Sequence, residues 1–163
     1  MSRQISELEG LLRQLITEHT RLLQLVTRHE VAMKAFDLRA MDDLGREQDT
    51  VRLMIVNLEK KRRILVAQIA KALNVQGEPT LRQLAALEPD HAKSLLELRV
   101  ELKRVVEQIS LRAHVGGKVA IAVLGHLNTV VRLVAGAVER AGLYTKAGIP
   151  KMSARIGGLE AVG

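Results

Sequence analysis

From its first residue to Pro79 the chain contains no proline, and its apolar residues recur at spacings of three and four rather than in alternation. A strand points successive side chains to opposite faces, so this rhythm belongs to helices with one buried face. Leu8, Leu11, Leu15, Leu22, Leu25, Ala32 and Phe36 mark a first stripe, with Glu18 and His29 at two slots that an apolar residue would fill. Leu12, Ile16, Leu23, Val26 and Met33 widen the stripe beyond a two-helix seam, toward a face with more than one neighbour.

A second run follows, built on Met41, Leu44, Val51, Ile55, Leu58, Leu65, Ile69 and Ala72 and interrupted by Gln48 and Arg62. Asp37, between the two runs, has the short acceptor side chain of a helix N-cap. Asn74 to Pro79 reads as a stop, since Asn and Gly tolerate left-handed backbone and Pro cannot continue a helix. A short helix is expected from Thr80 to Leu87. Pro89 and Asp90 then open a third long run through Leu95, Leu98, Leu102, Val105, Ile109, Val119, Val123, Val130 and Leu133, with Arg112, Gly116 and His126 in the slots between. That run extends to about Ala141. Helices of this length would each be on the order of 50 Å long at ~1.5 Å per residue. The expected fold is therefore all-α, an elongated antiparallel bundle of three long helices with a short connecting helix. The bundle occupies residues 1–141, and 142–163, rich in glycine and without apolar period, is expected to be a flexible C-terminal tail.

Composition narrows the chemistry. Hydrophobic residues make up 47% of the 163, yet there is one Phe, one Tyr and no Trp, so the core must be aliphatic. The absence of cysteine excludes disulfides, thiolate metal sites and cysteine nucleophiles, and the N-terminus lacks a signal-peptide pattern; a cytoplasmic protein is expected. A net charge of +7 and a pI near 10.1 would attract nucleic acid, anionic lipid or an acidic protein without choosing among them.

The most apolar stretch, Val119 to Val138, has the length of a membrane span, but His126, Asn128 and Arg132 lie across its middle, where a charge is costly in hydrocarbon. Burial in its own bundle or under a partner is the expectation, without stable membrane insertion. Gly116, Gly117 and Lys118 resemble the end of a phosphate-binding loop, but Arg112 and Val119 stand where that motif needs Gly and Ser or Thr. Glu88 and His91 form a single Glu-x-x-His with Pro89 inside it, short of the paired motifs of carboxylate-bridged metal bundles. The five histidines are scattered without an evident acidic partner, so no catalytic residue, metal site or cofactor is expected. Lys60, Lys61, Arg62 and Arg63 span about 300° of a helix surface, and no stacking aromatics accompany them. A solvated surface is expected there, with Arg62 reaching an acidic group on a neighbouring helix, and no nucleic acid is expected as partner.

The order of these features resembles the FlgN-type flagellar export chaperones. The resemblance rests on the Leu-rich first helix, the Asp37-Leu38 start of the second, and Leu58-Glu59 with Arg62 at its centre. It continues through NVQGEPTLRQLAALEPDHAKSLLELRVELKRVVEQI, which looks like that family's linker, short helix and third-helix opening, to Tyr144 and Gly148 beyond the last helix. Neither the His114–Lys118 segment nor the basic balance belongs to the resemblance.

The resemblance implies a non-enzymatic type III secretion chaperone that binds C-terminal helices of hook-filament junction proteins, prevents their premature assembly and delivers them to the export gate. A third helix that stays apolar on several faces supports a binding role, because such surface calls for cover. Val119, Val123, Leu127, Val130, Val131, Val134 and Val138 are the expected client-binding residues, forming a face for an amphipathic client helix. The resemblance also implies docking on the cytosolic domain of the export gate through Tyr144, the one tyrosine. A homodimer stays open. The alternatives are a helical coiled-coil adaptor and a basic nucleic-acid-binding helical protein.

Overall fold

A computed structural model describes the backbone from Ser2 to Gly142 and the side chains from Arg3 to Gly136. Four helices follow in order: α1 (Ser2–Lys34), α2 (Leu38–Ala72), α3 (Leu81–Leu87) and α4 (Pro89–Gly142). Among the described residues there is no strand, as the three-four rhythm requires. Packing divides the chain into two units, Met1–Ala120 and Ile121–Gly163. Of the expected tail, only Gly142 falls within the described backbone, where it closes α4.

The helix ends are set by local chemistry. At the end of α1 the amide of Asp37 donates to the Ala32 carbonyl at 3.0 Å and that of Phe36 to Met33 at 3.1 Å. These bonds form a Schellman ending, which needs left-handed backbone at Phe36, where φ is 55°. Asp37 then caps α2, its Oδ1 accepting from the Ala40 amide at 3.0 Å. The end of α2 repeats the Schellman pattern, Val75 to Ala70 at 2.9 Å and Asn74 to Lys71 at 3.3 Å. Here the left-handed position falls on Asn74, with φ 53°, a residue that tolerates it, and Gly77 follows at φ 83°. Thr80 opens α3 through a capping box: its hydroxyl accepts from the Gln83 amide at 3.3 Å, and its own amide donates to Gln83 Oε1 at 2.8 Å. Pro89 at the first position of α4 lacks the N–H that would have no partner there.

Within the first unit, two apolar clusters fix how the helices run. Ile5, Leu8 and Leu12 from the start of α1 meet Leu65, Val66 and Ile69 from the end of α2, together with Leu84 and Ala85 of α3 and Leu95 and Leu98 of α4. Leu22, Leu25 and Ala32 further along α1 meet Leu44 and Val51 near the start of α2, with Ile109 of α4 against them. The opposite order along α1 and α2 makes them an antiparallel pair, and the opening of α4 runs alongside α1. Among the described residues none of the buried hydrophobic side chains is aromatic. Along α4, the last buried side chain among those described is Val105.

Candidate functional site

Beyond Val105 no described side chain of α4 is buried, although this is the most apolar part of the chain. Of the two covers expected for Val119–Val138, its own bundle or a partner, the first is not met: none of its described side chains, which reach Gly136, is buried. Ile121 is 73% exposed and Val131 64%, and Leu124, Leu127, Val130, Leu133 and Val134 are exposed as well. Pro89–Gly136 is long and apolar enough to cross a membrane by length and composition alone, with a best window of mean hydropathy 1.6.

Helical geometry brings the expected client residues together. At about 100° per residue, Val123, Leu127, Val130, Val131 and Val134 fall within an arc of about 100°. Leu127, Val130, Val131 and Val134 are exposed and Val123 is half-buried. Val119, half-buried, belongs to the first unit. Val138 lies on the described backbone of α4 with its side chain outside the described residues, and Tyr144 lies outside them altogether. Sequence reading passed over Ile121 and Leu124, whose exposure widens the apolar surface. Their signal was present in the unbroken apolar run, but a search for one stripe discards what lies off it.

Of the expected polar interruptions, Gln48, Arg62 and Arg112 acquire partners, whereas Oε2 of Glu18 is buried without a hydrogen-bond partner. Glu30 is 5% exposed; Lys34 Nζ lies 2.6 Å from its Oε1 and Arg112 Nη1 of α4 lies 3.6 Å from its Oε2. Arg112 therefore ties α4 to α1 electrostatically. The hydrogen bond from Lys34 holds the Glu30 carboxyl below its ordinary value, aided by the charges of Lys34 and Arg112, while burial pushes it up. Close by, Gly116 faces Met33, whose Cε would lie 3.7 Å from an added Cβ, an ordinary contact. Gln48 is buried, and its Oε1 accepts from Arg52 at 3.2 Å.

Arg62 departs from expectation. Its Nε donates to Glu59 Oε2 of its own helix at 3.0 Å, and its Nη1 lies 3.8 Å from Glu78 in the linker before α3, so its acidic partners are not on a neighbouring helix. His91, for which the sequence shows no evident acidic partner, has Nδ1 3.1 Å from Glu9 Oε1, linking the start of α4 to α1. This contact joins residues 82 apart in sequence, so local spacing could not reveal it. Among the described residues no group of three or more carboxylates and histidines is placed to hold a metal ion.

The Glu30 cluster has a pH signature. A carboxyl whose pKa is lowered on folding adds stability above its unfolded value, near 4.5, and that stability is lost as pH falls through the folded value. Glu101, held low by its hydrogen bond from Arg104, acts in the same direction. Urea midpoints of the wild type are expected to drop as pH falls below 4.5. Glu30→Gln is expected to shrink that drop without abolishing it; an unchanged acid slope would mean that Glu30 is not held low.

Exposed aliphatic surface of this extent on a long helix is characteristic of an interaction surface. The particular kind is given by comparison with known proteins: a protein-family model described as "FlgN protein" matches residues 1–151. The chain belongs to the FlgN family, a family of flagellar export chaperones. Nothing matches it among curated proteins or among solved structures.

Proposed function

We propose that the chain is a cytoplasmic chaperone of flagellar type III secretion, binding the C-terminal helices of hook-filament junction proteins and preventing their premature assembly. It then delivers them to the cytosolic domain of the export gate. The observation that carries this reading is the exposed aliphatic face of α4 in a chain of the FlgN family. Val119, Val123, Leu127, Val130, Val131, Val134 and Val138 form the client face, receiving the apolar side of an amphipathic helix. Tyr144 docks on the gate, where one amphipathic ring supplies a large contact at small side-chain entropy cost.

Two measurements test this. Hydrogen exchange with a junction-protein C-terminal peptide is expected to protect the amides of Ile121–Gly136; protection confined to α1 and α2 would place the client elsewhere. Tyr144→Ala is expected to keep client binding and lose pull-down of the gate's cytosolic domain, and undiminished pull-down would remove Tyr144 from that role.

A further inference from the structure

The client face accounts for none of the basic charge. Arg52 to Lys71 of α2 holds six basic residues against one acidic, five of the chain's net seven positive charges. Two of the six are engaged: Arg52 with Asp49 at 3.0 Å, and Arg62 with Glu59 and Glu78. Lys60, Lys61, Arg63 and Lys71 are exposed, and no carboxylate pairs with them among the described residues.

These cations share their side of the helix with apolar groups. Leu53 is 66% exposed, Val56 61% and Ile64 53%. At about 100° per residue, Arg63, Val56, Lys60, Leu53, Lys71, Ile64 and Lys61 fall within an arc of about 160°. That arc lies opposite the buried Val51, Leu65 and Ile69, and Glu59, the one carboxylate of the stretch, falls outside it.

We infer that this outward face of α2 docks on an anionic lipid surface. Three aliphatic side chains spaced along a helix and flanked by lysines and arginine suit a bilayer interface: the apolar groups enter the acyl boundary while the cations meet headgroup phosphates. The flexible stems of Lys60, Lys61 and Lys71 allow their ammonium groups to reach those phosphates with the helix lying flat. Nucleic acid would use the cations and leave Leu53, Val56 and Ile64 without partners, and no aromatic residue of α2 is available for base stacking. Val56, Lys60, Arg63 and Ile64, with Ile55 and Glu59, line an open hollow formed by α2 alone, without the second helix that would wall a groove for an acidic protein helix. The surface shares no residue with the client face of α4, so the two readings stand or fall separately.

Vesicle co-sedimentation with the full chain tests the inference. Binding is expected to phosphatidylcholine vesicles containing phosphatidylglycerol and not to phosphatidylcholine alone. Lys60→Glu/Arg63→Glu is expected to weaken binding by at least about tenfold, each headgroup-facing charge contributing on the order of a fivefold change. Val56→Ser/Ile64→Ser is expected to bind at low salt and release as salt rises, because only the electrostatic part remains. Lys60, Arg63, Val56 and Ile64 are all exposed, so the helical content of these two variants is expected to be unchanged. Val123→Asp/Val131→Asp is expected to bind the vesicles as the wild type does. Equal binding to neutral vesicles, loss of binding in that α4 variant, or undiminished binding of Lys60→Glu/Arg63→Glu would overturn the inference. So would absence of vesicle binding while an acidic protein or duplex nucleic acid is retained through Lys60 and Arg63.

Discussion

Val123→Asp/Val131→Asp is expected to lose binding of a junction-protein C-terminal helix by at least about a hundredfold while circular dichroism stays near wild type. Each valine would bury its side chain against the client, worth about 1.5 kcal/mol or more. Each aspartate would instead have to shed its hydration without a partner, at a cost of several kcal/mol. As about 1.4 kcal/mol is a factor of ten in affinity, the pair removes most of the binding energy of a helix-in-groove contact. The helix itself tolerates the change: Val and Asp have similar helix propensities, and neither position is among the buried core of the free protein. Unfolding of the variant would show that these valines are core and would refute their assignment to a binding face.

Leu95→Ala has the opposite signature, a large loss of stability. Leu95 is fully buried in the cluster that joins α1, α2, α3 and the opening of α4. Removing its branched end forfeits transfer energy and leaves a cavity that four helices cannot collapse upon together, at a cost of about 3 kcal/mol. In a protein of ordinary marginal stability that is a large part of the total, so denaturant midpoints are expected to fall sharply. Client affinity, measured where the variant remains folded, is expected to change little. A small change in the denaturant midpoint would mean that the helices are not held together at this point.

Much of the fold was legible because helices announce themselves locally. Asp37, Asn74, Thr80 and Pro89 stand where the structure begins or ends helices, and the reason in each case is a bond or a missing N–H within a few residues. The first stripe was less sharply readable. Leu12, assigned to a widening of the stripe, is fully buried, while Phe36, assigned to the stripe, is left exposed at the left-handed turn. Periodicity gives the direction of a face but not how far round the helix its cover extends.

The candidate site divides in the same way. The residues proposed for the client face could be named from the apolar rhythm of α4, because a helix brings residues three and four apart to one side whatever surrounds it. Their exposure could not, since the same rhythm continues through buried Leu95, Leu98 and Val105 and on into the bare segment. The partners of Arg62, Glu30 and His91 were equally out of reach, depending on a linker carboxylate and on contacts between helices distant in sequence.

The sequence by itself determined that the protein is helical, where its helices start and stop, that its core is aliphatic and which family it resembles. The first two follow from interactions within a turn or two of the chain, the third from composition and the last from the order of features along it. The tertiary structure alone decided which apolar faces are covered. At 54 residues α4 is longer than α1 and α2, with 33 and 35, and only the packed arrangement shows that the last of its described side chains to be buried is Val105.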